Sequence, residues 1–171
     1  MQYYEALGLE QKLALDLEDL KKRFYDRSRQ WHPDKFTRAE PQERQKALDM
    51  TALLNDAFRT LRDPVARAEY FLRQRGMELS KDAPPELLEE VFDLNMALEE
   101  LRGGDDAALP QLESARRRFS GMLREIDNQL QGLFSGGPEN LDEIRGVLNR
   151  RRYISNLVRE VDKELNVHLS N

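Results

Sequence analysis

Two residues able to do acid–base chemistry, His32 and Asp34, flank Pro33 within "RQWHPDKF". An imidazole beside a carboxylate could act as a general base and its orienter, so a hydrolase using His32 and Asp34 is one reading. No serine stands in a recognisable nucleophile turn. The absence of cysteine removes the thiol nucleophile, the thiolate metal ligand and the disulfide together. The other histidine, His168, is expected to be an exposed helix-end residue, and two histidines without a carboxylate cluster make no metal site. No cofactor is indicated. Binding is the alternative use of the same groups. A carboxylate such as Asp34 can be gripped by an arginine through two hydrogen bonds, and a neutral His32 offers one donor and one acceptor.

The elements around the tripeptide decide whether those groups are available. "DLEDLKKRFYDRSRQWH" opens on a good N-cap, Asp16, and spaces Leu17, Leu20 and Phe24 by three and four, which predicts a helix with one apolar face. Its other face carries Lys21, Lys22, Arg23, Arg27 and Arg29. The helix must stop near His32, because Pro33 has no N–H and disfavours the α region for the residue before it. His32 and Asp34 therefore project from a loop. Before this helix lies "YYEALGL", one or two turns that need tertiary support. After the loop, Ala47, Met50, Leu54, Ala57, Phe58 and Leu61 mark a long amphipathic helix from about Pro41. "RDPVARAEYFLRQRG" then predicts a short helix with Asp63 as cap, Pro64 at its first position and Gly76 as its stop.

The whole chain has 171 residues, 35% of them charged and 39% hydrophobic, with few β-branched residues and little Gly or Pro, which predicts an all-α protein. A net charge of −5 argues against nucleic-acid binding. No signal peptide and no bilayer-length apolar segment is visible, so neither membrane nor export is expected and a cytoplasmic location is the default.

Residues 1–76 thus form one domain, and "MELSKDAPP" places a linker at 77–84. Over 85–171, helices from about Pro85 to Leu101, Leu109 to Phe134 and Asn140 to Leu169 are separated by "RGGDD" and "SGGPEN", which predicts a three-helix bundle. In the first of them Leu87, Val91, Leu94, Leu98 and Leu101 make a bundle seam. A second line, Leu88, Phe92 and Met96, is displaced from that seam by more than a quarter turn and is ringed by Glu86, Glu89, Asp93 and Glu99. It is a partner surface, or it is packed against the first domain or flanks the bundle core. In the last helix Ile144, Leu148, Ile154, Val158, Val161 and Leu165 face inward and Tyr153 is set away from them.

The order "YYEALGL", "LKKRFYDRSRQWHPDK" and "LLNDAFRTLRDPVARAEYFL" resembles the J-domain, the module that stimulates DnaK-class chaperone ATPases. That resemblance implies that His32, Pro33 and Asp34 engage the ATPase, with Lys21, Lys22, Arg23, Arg27 and Arg29 facing an acidic surface on it. The J-domain, short linker and acidic bundle together resemble the HscB co-chaperones of iron–sulfur cluster assembly. This implies a bundle that binds an IscU-type scaffold and presents it to an HscA-type chaperone. The scaffold-binding face carries over to Leu88, Glu89, Phe92, Asp93, Met96 and Tyr153. The chain departs from the pattern at Glu89, where a methionine is common, and at Met96, where an acidic residue is common. It also lacks the cysteine-rich N-terminal extension of some eukaryotic members, which implies a bacterial-type protein. The alternative within the binding class is a general J-domain protein with another client or an oligomerising bundle.

Overall fold

A computed structural model of the chain describes residues 2–137 and 140–170, and among these there are helices and turns but no strand. The chain divides into two compact units, one ending at Gly76 and the other beginning at Met77.

The first unit holds α1 (Tyr3–Ala6), α2 (Leu17–Gln30), α3 (Pro41–Arg62) and α4 (Pro64–Arg73). Asp16 caps α2 by accepting from the N–H groups of Glu18 and Asp19, and Asp63 caps α4 by accepting from Val65 N–H. Pro41 and Pro64 open their helices at positions whose N–H would be unpaired in any residue. Leu20, Leu54, Ala57, Leu61, Ala68 and Leu72 are buried in the core, and Phe24 stacks on Phe58 at 4.3 Å between ring centroids. Leu17, expected on this inward face, is half exposed; it is the first residue of α2, where no preceding turn of the helix lies beside it. Leu7 and Leu13, from the segment before α2, are buried instead.

One turn of helix is too short to be stable alone, so α1 depends on what it touches. Tyr3 stacks on Tyr70 at 4.5 Å, and Tyr3 N–H donates to the Tyr70 hydroxyl. Tyr4 is buried, donates to the Lys12 carbonyl at 2.8 Å and sits near Arg67, whose Nη1 donates to the Leu61 carbonyl near the end of α3. Burial pushes the Tyr4 phenol up to about 12 against the opposing charges of Arg67 and Arg75.

The second unit holds α5 (Leu88–Arg102), α6 (Leu109–Leu133) and α7 (Leu141–Ser170). The segment 77–84, expected to be a linker, belongs to this unit; Ser80 N–H donates to Asn149 Oδ1 of α7 at 2.7 Å. The turn expected over "SGGPEN" includes Pro138 and Glu139, which lie outside the described residues. Pro85–Leu87 is a 3-10 turn leading into α5.

Every member of the α5 seam, Leu87, Val91, Leu94, Leu98 and Leu101, is buried. Phe119, Ile126 and Leu130 of α6 and Ile144, Leu148, Ile154, Val161 and Leu165 of α7 complete the core, with Val158 only half buried. Ion pairs mark the register. Arg116 pairs with Asp162 and Arg151 with Asp127, so eleven residues forward along α6 match eleven back along α7. His168 is half buried rather than exposed, because the end of α7 packs near the turn before α6; its Nε2 lies 3.8 Å from Asp106 Oδ1.

Two measurements check this packing. Leu94→Ala should cost about 2–5 kcal/mol in thermal or denaturant unfolding, whereas Phe92→Ala, two residues earlier and on the exposed side of the helix, should change stability by about 0.5 kcal/mol or less. For Tyr4, the raised folded-state pKa means the unfolded chain loses its phenolic proton first. Its contribution is intact below pH 10 and is lost as pH rises toward 12, by roughly 2–3 kcal/mol over that window. Alkaline melts should show this fall in the first unit, and Tyr4→Phe should flatten it.

Candidate functional site

Pro33 ends α2 and starts a single 3-10 turn, Pro33–Phe36. The residue before a proline is driven to extended backbone, and His32 adopts φ −59° and ψ 129°. In that conformation His32 caps the new turn rather than the helix it leaves: Nδ1 accepts from Asp34 N–H at 3.2 Å, and the Asp34 carboxylate lies 3.6 Å from the same nitrogen. With Nδ1 accepting, a neutral imidazole carries its proton on Nε2, which is left as a donor. The side chains of His32 and Asp34 are 58% and 88% exposed, so the tripeptide is braced internally while its polar groups face solvent.

Neighbours hold both ends of the turn. Trp31 and Phe36 stack at 5.8 Å with their planes 5° apart, and the Lys46 ammonium lies 5.4 Å from the Trp31 ring centroid. The Thr51 hydroxyl of α3 lies 2.8 Å from the Ala47 carbonyl and 3.2 Å from the Trp31 carbonyl, and its one proton is shared between them. These supports lie up to twenty residues away in sequence, and no local spacing singled them out.

The five cations of α2 do not form one surface. Arg23 donates Nη1 to the Gly8 carbonyl at 2.7 Å and Nε to Asp19, and Arg27 donates Nη1 to the Ala6 carbonyl at 3.1 Å. These bonds satisfy carbonyls at the end of α1 that the short helix leaves unpaired. Gly8 makes the approach possible: it sits at φ +65°, and a Cβ there would strike the Arg27 guanidinium. Lys21, Lys22 and Arg29 are exposed, with Tyr25 among them, itself half exposed on the polar side of the helix. The signal for Tyr25 was present in its spacing, four after Lys21 and three after Lys22.

On α5, Leu88, Phe92 and Met96 are 56%, 65% and 46% exposed, with Glu89 and Asp93 exposed beside them. Tyr153 is half buried on α7. Arg102, near the end of α5, donates to Glu160 and Glu164 of α7. Seven residues is two helical turns, so stepping back seven from each partner keeps the same flank. That step reaches Tyr153 on α7 and Asn95 on α5, between Phe92 and Met96. The parallel α5 and α7 thus bring Tyr153 level with the exposed apolar line.

Among the described residues no group of three or more His, Asp or Glu side chains could hold a metal ion, and no helix is long and apolar enough to cross a membrane.

An exposed His-Pro-Asp turn between two packed amphipathic helices, followed by a separate helical bundle, defines a J-domain co-chaperone. Residues 2–70 match the family model of the DnaJ domain, and residues 83–162 match that of the HSCB C-terminal oligomerisation domain. The chain is 30% identical over 169 residues to the "Co-chaperone protein HscB homolog" of Vibrio vulnificus strain YJ016, covering 95% of both chains. It is 33% identical over 139 residues to that of Shewanella halifaxensis strain HAW-EB4, covering 78% of both. Among solved structures, the chaperone HscB from Vibrio cholerae superposes with a TM-score of 0.68 at 30% identity, over 99% of each chain. Human co-chaperone HscB, at 23% identity and a TM-score of 0.69 over 96% of this chain and 82% of its own, shares the fold. The chain belongs to the HscB family of J-domain co-chaperones of iron–sulfur cluster assembly. That family is not an enzyme family in itself.

The division among the α2 cations is open to measurement. Arg23→Ala and Arg27→Ala should each lower the stability of the first unit by about 0.5–1.5 kcal/mol, since each removes a hydrogen bond that ties α2 to the end of α1. Lys21→Ala and Lys22→Ala should leave its melting unchanged within about 0.5 kcal/mol. Equal melting of all four variants would mean that the arginine contacts contribute nothing to folding.

Proposed function

We propose that this chain is an adaptor: its bundle binds an IscU-type iron–sulfur scaffold, and its His-Pro-Asp turn engages an HscA/DnaK-class chaperone and stimulates ATP hydrolysis there. The observation that carries this reading is the tripeptide turn itself. The His32 imidazole is held by Asp34 N–H, the turn runs between the stacked rings of Trp31 and Phe36, and the His32 and Asp34 side chains are exposed to solvent. A prepared turn of this kind loses little conformational entropy on binding. Lys21, Lys22 and Arg29 beside it suit an acidic partner surface, and Arg23 and Arg27 contribute by holding the domain together.

The scaffold face comprises Leu88, Phe92 and Met96 with Tyr153 level beside them, and Glu89 and Asp93 at the rim. Apolar anchors inside a polar rim are the usual form of a protein–protein interface. Glu89 and Met96 exchange an apolar for an acidic position relative to the family's common pattern. The face keeps one of each, with the methionine a step of two turns further along α5. Holding scaffold and ATPase at once, the adaptor promotes transfer of the cluster by coupling chaperone closure to delivery of its client.

His32→Gln or Asp34→Asn should abolish stimulation of the cognate chaperone's ATPase while leaving the thermal melt and scaffold binding intact. Leu88→Ala with Phe92→Ala should do the reverse: the melt is retained and stimulation by the free chain persists, but scaffold binding falls by roughly 2 kcal/mol or more for each anchor. A steady-state ATPase assay and a calorimetric titration with purified scaffold read both. Full stimulation by the His32 variant, or unchanged scaffold affinity in the α5 variant, would remove the corresponding half of the proposal. Sedimentation of the free chain over a range of concentrations tests the oligomerising alternative directly.

A further inference from the structure

Tyr25 does not belong on an ordinary solvated basic face. It is 50% exposed, and its hydroxyl meets no partner among the described residues. Lys21 and Lys22 lie one turn before it and Arg29 one turn after, along a shallow cavity of about 310 Å³ completed by Glu18 and Asp26. The ring has a tilted contact with Phe24 at 5.7 Å, yet half of it stays in water beside cations that also pair with nothing among the described residues. Arg23 and Arg27, on the same helix, are engaged by Gly8 and Ala6. The outward face of α2 therefore groups three uncommitted cations, together with the carboxylates of Glu18 and Asp26, around one uncommitted aromatic.

We propose that Tyr25 is the apolar anchor of the chaperone-docking face and enters a pocket with an acidic rim on the DnaK-class partner. The proposal rests on the reading of the His-Pro-Asp turn as the chaperone contact. Tyr25 precedes His32 by seven residues, roughly 10 Å along the helix direction, so one partner surface covers both. The division of roles follows from how each group responds to salt. Exposed cations steer and orient a partner, and their contribution fades as ions screen them. Withdrawing an aromatic ring from water is not screened, and tyrosine is among the side chains that most often dominate an interface.

The test uses the full chain and its purified cognate DnaK-class chaperone, reading the concentration of co-chaperone that half-saturates ATPase stimulation at low and at high salt. Tyr25→Ala should raise it about thirtyfold, by the same factor at both salt concentrations. Tyr25→Phe should stay within about threefold of the wild type, because the ring and not the hydroxyl is the anchor. Lys21→Ala with Lys22→Ala should show a defect that shrinks as salt rises. Tyr25→Arg keeps a long side chain and adds charge, so it should be as impaired as Tyr25→Ala at high salt and also controls for folding. Full-strength docking by Tyr25→Ala, a Tyr25→Phe defect equal to that of Ala, or tighter docking by Tyr25→Arg would each overturn the anchor. A wild-type chain that fails to stimulate would overturn the docking reading and the anchor with it. Stimulation by the wild type with Tyr25→Ala unaffected would remove the anchor alone.

Discussion

Pro33 cannot continue a helix, and the first unit is organised around the end that it forces on α2. The ring removes a donor, drives His32 into extended backbone and lets the chain resume at once as a 3-10 turn. Two consequences follow from that geometry. His32 Nδ1 is positioned to accept from Asp34 N–H, which fixes the imidazole on the backbone of the turn beside the exposed Asp34 carboxylate. The residues at either end, Trp31 and Phe36, come close enough to stack, and Thr51 ties the Trp31 carbonyl to α3. A flexible loop with the same three residues would present the same groups in many arrangements; this turn presents few.

The same helix serves a second purpose through its arginines. A single turn such as α1 has unpaired carbonyls and too little structure of its own to persist, and Arg23 and Arg27 supply the missing donors. Charge and packing are thus not separate properties of α2. Part of the basic face holds the fold together, and the part that remains, Lys21, Lys22 and Arg29, is what a partner can meet. The bundle shows a comparable economy in Arg102, whose bonds to Glu160 and Glu164 set α5 beside α7 and so bring Tyr153 level with Phe92 and Met96.

Much of this was legible because helices carry their own punctuation. Asp16, Pro41, Asp63, Pro64 and Gly76 mark ends by local backbone chemistry that needs no tertiary partner. The α5 pattern was equally direct: a helix has one period, so Leu87, Val91, Leu94, Leu98 and Leu101 had to share a face and Leu88, Phe92 and Met96 had to leave it. Leu17 and His168 departed from expectation because both lie at helix ends, where the position of the neighbouring segment, and not the helical period, decides what is covered.

By itself the sequence determined the all-helical architecture, the break at Pro33 and the two apolar lines of α5, since each follows from backbone sterics or from a periodicity within one element. Only the tertiary structure decided which cations of α2 are free, which aromatic groups support the tripeptide and where Tyr153 stands relative to α5. Those outcomes depend on pairs such as Arg27 with Ala6, Thr51 with Trp31 and Arg102 with Glu160, separated by about twenty residues or more. Helical spacing specifies the direction in which a side chain leaves its own axis. What it meets there is set by the register between axes, which packing and long-range ion pairs establish together.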